Sequence, residues 1–161
     1  MKGSRKTILC VCTGNICRSP MAEELLRHRL GLHAPWVVKS AGVAAPSGMP
    51  ASDEAVQALA EWKLDLTGHR SKPLSPRLVD EAALIVVMTA THAQAVVSRF
   101  PEARGKVRLL TSFGASRQPE GIPDPIGLSL DVYRHTRDRI DSAVADVVLY
   151  MREQEGRRRG P

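Results

Sequence analysis

The chain has 161 residues, 43% hydrophobic and 25% charged, a balance that excludes a disordered or membrane-embedded protein and suits one domain able to bury its own core. Its net charge of +6 includes Arg157, Arg158 and Arg159, which leaves +3, a mild bias that fits anionic substrates better than a nucleic-acid duplex; at 4%, aromatic residues are too few for a base-stacking surface. No apolar run reaches the roughly 20 residues needed to span a bilayer, and the apolar run in the start MKGSRKTILCVC is too short for a signal peptide, so a cytoplasmic protein with no nucleic-acid or membrane partner is expected.

In chain order, Lys6 to Cys12 (KTILCVC) reads as a short buried strand, and Pro20 to Leu30 as a helix with Ser19 as N-cap and Pro20 in its first turn. Trp36 to Ser40 is a second strand, closed by Ala41-Gly42 and followed by a Pro/Gly-rich loop from Ala44 to Pro50. A helix from about Ser52 to Trp62 presents Ala55, Leu59 and Trp62 on one face. Ser75-Pro76 starts a short helix, and ALIVVM (Ala83 to Met88) is apolar on both faces, as a central strand of a parallel sheet is. THAQAVVSRF is a further helix and Val107 to Leu110 a fourth strand. Thr111 to Gly127 is a loop longer than a connection alone requires, and a helix from about Ser129 to Gln154 closes the chain. This alternation predicts a single three-layer α/β domain, a central four-stranded parallel sheet with helices on both faces. The domain is expected to span 1–155, with 156–161 a disordered basic tail.

The stretch VCTGNICRSP (Val11 to Pro20) follows the first strand and so lies at a strand's carboxyl end, where ligands bind in such sheets. A glycine-containing turn that runs into a helix start directs backbone N–H groups and the helix dipole at one spot, which suits an anion. Gly14 and Asn15 tolerate left-handed backbone, and Arg18 offers a fork of donors for two phosphate oxygens. Cys12, beneath that anion, would sit in an electropositive setting that favours thiolate, the attacking form. Cys10, Cys12 and Cys17 are the only cysteines and lie close together, which fits a reducing compartment. Zinc has less support, because no later cysteine follows and His28, His33, His69, His92 and His135 are scattered without paired spacing.

The segment Cys12-Thr13-Gly14-Asn15-Ile16-Cys17-Arg18-Ser19-Pro20 resembles the phosphate-binding signature of the low-molecular-weight protein tyrosine phosphatases, with its C-x5-R core. The likeness extends in order to Ser40-Ala41-Gly42, Gly68-His69-Arg70 and Asp124-Pro125, and covers Thr7 to Met151. It implies a hydrolase that dephosphorylates proteins through a phosphocysteine intermediate, with no metal or other cofactor. Cys12 would attack phosphorus, Thr13, Gly14, Asn15, Ile16, Cys17, Arg18 and Ser19 would bind the phosphate, and Asp124 would protonate the leaving group and then assist water. The resemblance further implies that Ser19 hydrogen-bonds the sulfur and that Asn15, Ser19, Ser40 and His69 form a supporting network. From spacing alone Ser19 is equally a plain helix cap, and His69 also fits an ordinary turn. A reversible Cys12–Cys17 disulfide that guards the nucleophile is implied in the same way, while a buried helix-start cysteine fits Cys17 as well. Cys10 reads as core. The expected partners are phosphorylated protein substrates, with the chain a monomer.

The same family includes arsenate reductases, whose chemistry needs further cysteines downstream, and none follows Cys17. Phosphoarginine hydrolysis is the stronger alternative: Met88 to His92, Asp124 to Gly127, Asp131 to Tyr133 and Thr136 to Asp138 look closer to that branch, with Ile126 and Gly127 where animal-type enzymes often carry aromatics. Ile16 argues the other way, because the arginine-directed enzymes tend to have threonine there and isoleucine offers an apolar edge suited to a phenol ring. Phosphotyrosine is therefore the expected substrate, with Ile16, Met49 and Ile126 as apolar pocket walls; the last two also fit plain loop anchors. A non-catalytic phosphate-binding module is the competing reading, and the presence of both Cys12 and Asp124 argues against it.

Overall fold

Strand β1 (Lys6–Cys12) is apolar from Ile8 onward and is buried there on both faces: Ile8, Cys10 and Cys12 face one half of the core, Leu9 and Val11 the other. A strand with no solvent face must sit centrally, and in the computed structural model, which describes residues 5–32, 34–114 and 118–160, it does. The sheet is parallel in the order β2-β1-β3-β4, with β2 at Trp36–Gly42, β3 at Ala82–Val87 and β4 at Val107–Leu109. Helices α1 (Arg18–Leu30), α2 (Asp53–Ala60) and α5 (Leu130–Arg158) supply the core on one face of the sheet. Helices α3 (Pro76–Glu81) and α4 (Ala90–Arg99) cover the other, packing Val79 and Val96 with Leu9, Val11, Ile85 and Val87. The expected three-layer α/β domain is the observed one. Among the described residues no helix is long and apolar enough to cross a membrane.

From β1 the chain steps outward to β2 and then returns to β3 on the opposite side of β1. The carboxyl ends of β1 and β3 therefore diverge into loops at a point where the order reverses, the place where open α/β sheets bind ligands. The loop after Cys12 and the turn at Met88-Thr89 both leave from there.

Three expectations need correction. Helix α1 begins at Arg18 with Cys17 as N-cap and no side-chain capping bond, so Ser19 lies inside the first turn. Its hydroxyl is occupied by Cys12 and Asn15 instead. Trp62 lies beyond the end of α2, 39% exposed, with the Arg137 guanidinium stacked 4.1 Å over its ring, while Ala55, Ala58 and Leu59 form the buried face. Helix α5 continues through Gly156 to Arg158, where 156–161 was expected to be disordered. Arg157 and Arg158 complement the negative end of the helix dipole, and the Trp36 indole N–H ties Glu155 to the body of the domain. Pro161 of that tail, and His33, lie outside the described residues.

Candidate active site

Five residues, Thr13 to Cys17, carry the chain from the end of β1 into α1. The turn needs one left-handed residue, and Asn15 supplies it at φ +57°, a conformation that Asn adopts more readily than other residues with a Cβ. Asn15 is fully buried, and its side chain is held on both ends. Its Nδ2 donates to Ser19 Oγ at 2.8 Å and to Ser40 Oγ at 2.9 Å, while Oδ1 accepts from the Lys72 N–H at 3.0 Å. Ser40 passes its own proton to Glu23 at 2.6 Å. His69 Nε2 donates to the Asn15 carbonyl at 2.6 Å, which fixes the backbone at the left-handed residue. Burial lowers the pKa of His69, and its bond to that carbonyl opposes the shift.

These bonds decide the direction of the next one. Ser19 Oγ already accepts from Asn15, so its proton is free for Cys12 Sγ, 2.9 Å away. The sulfur of Cys12 thus receives a hydrogen bond from a fully buried hydroxyl. Gly42, at the end of β2, makes room for the loop: a Cβ there would collide with the Thr13 carbonyl. Val43 and Ala44 then donate their N–H groups to the carbonyls of Cys12 and Thr13 at 2.9 and 3.0 Å.

Arg18 is 3% exposed and joins two distant segments. Nη1 donates to the Ile122 carbonyl at 2.9 Å, and Nη2 stands 3.5 Å from Asp124 Oδ2. Its Nε is buried and, among the described residues, has no hydrogen-bond partner, at a helix start that the loop's N–H groups lead into. The long loop is seated by Gly121, at φ +73° and packed so tightly on the Met88 carbonyl that a Cβ would not fit, and by the Ile122 N–H donating to that same carbonyl at 2.8 Å. Asp124 reaches the loop that follows β1 because Met88, at the end of β3, holds Ile122.

Cys17 is 4% exposed, its Sγ 3.2 Å from the Tyr133 hydroxyl and 3.4 Å from Ser52 Oγ. Burial pushes its thiol up, as it does more strongly for Cys10, which lies wholly inside the core. All three cysteines are free thiols. Ile16 is half-buried against the core, and its carbonyl accepts from the Ser52 N–H at 2.9 Å. Met49 and Ile126 are 50% and 51% exposed, Met49 anchored by backbone bonds to Ser71 and Ile126 by its N–H to Asp124 Oδ1. Among the described residues no cluster of three or more His, Cys, Asp or Glu could hold a metal ion.

Sequence reading missed Gly121, Ile122, Lys72 and the Thr13–His92 contact, in which the two side chains meet at 2.8 Å. The pattern Thr89-x-x-His92 carries a capping signal, but nothing in it points back to the first loop.

The family model described as "Low molecular weight phosphotyrosine protein phosphatase" matches residues 7–157. The chain is 41% identical over 138 residues to a protein-arginine-phosphatase of Geobacillus stearothermophilus, covering 85% of this chain and 90% of that one. It is 40% identical over 138 residues to the low molecular weight protein-tyrosine-phosphatase Etp of Escherichia coli K12, covering 85% and 88% respectively. Among solved structures, the YwlE arginine phosphatase of Geobacillus stearothermophilus superimposes with a TM-score of 0.86 at 37% identity, over 93% of this chain and 95% of that one. The chain belongs to the low molecular weight phosphotyrosine protein phosphatase family.

Proposed function

We propose that the chain hydrolyses phosphotyrosine on proteins through a phosphocysteine intermediate. In the first step the Cys12 thiolate forms a bond to phosphorus as the bond to the phenolic oxygen breaks, and Asp124 gives its proton to that oxygen. In the second, the Asp124 carboxylate takes a proton from water, whose oxygen bonds phosphorus as the sulfur leaves. Arg18 and the N–H groups of residues 13–19 hold the three equatorial oxygens, where charge must be stabilised throughout. The observation that carries the reading is Arg18, which meets Asp124 across the mouth of the loop and keeps a buried Nε with no hydrogen-bond partner among the described residues. Ser19, donating to Cys12, supports the sulfur both as nucleophile and as leaving group.

Ile16 favours the phenol ring over a guanidinium. The second reading, phosphoarginine, is favoured by Ile126 and Gly127 after Asp124-Pro125 and by the likeness to protein-arginine-phosphatases. Rates on matched phosphotyrosine and phosphoarginine peptides, for wild type and Ile16→Thr, decide between them. Wild type is expected to prefer phosphotyrosine and Ile16→Thr to shift toward phosphoarginine; a wild type that already prefers phosphoarginine refutes the assignment.

Cys17 is assigned as the redox partner of Cys12: with a peroxide as oxidant, its thiol displaces hydroxide from a Cys12 sulfenic acid, and a thiol reductant restores both. The closely spaced cysteines suit a reducing compartment, and the chain is assigned to the cytoplasm, acting as a monomer.

A further inference from the structure

His92 is the third residue of α4 and only 4% exposed, yet both of its ring nitrogens are engaged. The Thr89 N–H donates to Nδ1 at 3.2 Å, so Nδ1 carries no proton and the neutral ring carries it on Nε2. Nε2 stands 2.8 Å from Thr13 Oγ1, 79 residues away in sequence, and therefore donates to it. Burial and the positive charge of Arg18 keep the ring neutral, lowering its pKa to about 4 against the opposing pull of Asp124. Arg18 and Asp124 are the charged groups that act on His92, and Thr13 opens the loop that Arg18 closes, which places the Thr13–His92 pair at that loop's rim.

Thr13 directly follows Cys12 and is exposed. Its backbone is already fixed by the Ala44 N–H, and the Asn15 network closes without its hydroxyl. A hydroxyl on an exposed residue that a buried imidazole holds as acceptor has its own proton turned away from that imidazole. The acceptor that the site is built to receive is an anion.

We propose that His92 is a positioning residue of the reaction: it pins the Thr13 hydroxyl at the rim of the loop as a side-chain donor to the bound phosphoryl group. The proposal rests on the phosphatase reading and adds a donor that the loop N–H groups and Arg18 do not supply.

Calorimetric titration of the full chain with inorganic phosphate tests it, using wild type, Thr13→Val, Thr13→Ser, His92→Ala and the double variant Thr13→Val/His92→Ala, each checked for Tm. Loss of one hydrogen bond to a charged group is expected to weaken phosphate binding about tenfold in Thr13→Val, with Thr13→Ser restoring it. His92→Ala is expected to lose most of the same factor. In the Thr13→Val background it should lower Tm, through the lost cap, and leave phosphate affinity where Thr13→Val put it. kcat/KM should fall in parallel. Imidazole nitrogen NMR should show the Nε2–H tautomer at neutral pH. Wild-type affinity in Thr13→Val, a double variant weakened by the product of the two single factors, or an Nδ1–H tautomer each overturns the proposal. A wild type that binds no phosphate overturns the phosphatase reading together with it, whereas tight binding unaffected by Thr13→Val overturns this inference alone.

Discussion

Replacing Asn15 with alanine removes the side chain that ties the loop after β1 to Ser19, Ser40 and Lys72. The side chain makes three hydrogen bonds, to Ser19, Ser40 and the Lys72 N–H, all to buried or half-buried groups. At about 1 kcal/mol each, their loss costs roughly 3 kcal/mol. Alanine at φ +57° adds about 1–2 kcal/mol of backbone strain, so Asn15→Ala should lose about 4–5 kcal/mol. For a domain of this size that lowers Tm by roughly 8–20 °C. Asn15→Gly loses the same bonds but not the strain, and the freer unfolded glycine chain takes back about 0.4–1 kcal/mol. It should therefore be about 0.5–1 kcal/mol more stable than Asn15→Ala. Urea unfolding of the three proteins measures both differences. A loss below about 1 kcal/mol in Asn15→Ala would refute the network's role, since a single hydrogen bond accounts for that much. A glycine variant no more stable than the alanine one would refute the strain.

Gly121→Ala places a Cβ against the Met88 carbonyl at a positive φ, so the loop that carries Ile122 and Asp124 must shift. It should lower kcat more for substrates with poor leaving groups, which need the acid, than for p-nitrophenyl phosphate, and equal losses on both would contradict the linkage from β3 to Asp124. Stability should also depend on His92. Its folded pKa of about 4 lies below the unfolded value near 6.5, so the unfolded chain binds more protons between them. Stability contributed by this group is fully present above about pH 6.5 and is lost as pH falls toward 4, by about 2–3 kcal/mol. His92→Gln keeps the capping pattern and removes the titration; denaturant midpoints that fall equally in both proteins across that range would refute the shift.

The sheet was legible because its signals are local. A strand apolar on both faces, such as Lys6–Cys12 or ALIVVM, has to be central whatever surrounds it. Helix ends were read less well where side chains have other duties. Ser19 carries a capping residue type, but Asn15 and Cys12 claim its hydroxyl, and α1 starts earlier at Arg18. The basic tail has the composition of a disordered segment, and the contact between Trp36 and Glu155 that carries α5 to Arg158 joins residues 119 apart. Cys12, Arg18 and Asn15 stood out because a phosphate cradle needs particular residue types at fixed spacing. Gly121 and Ile122 did not, because their importance lies in contacts with Met88 and Arg18 that only the folded sheet brings about. The bond between Thr13 and His92 was hidden for the same reason: the sequence carries a cap at Thr89 but not its second partner.

The central claim is that Cys12 carries the phosphoryl group. Rapid denaturing quench of Asp124→Asn during turnover of p-nitrophenyl phosphate, whose leaving group departs without the acid, followed by mass spectrometry of the Cys12 peptide, tests it directly, because removing the carboxylate that activates water lets the intermediate accumulate. One added phosphoryl group is expected on Cys12, and none, with no turnover, in Cys12→Ala. Hydrolysis that continues in Cys12→Ala, or proceeds in Asp124→Asn with Cys12 never modified, would contradict it.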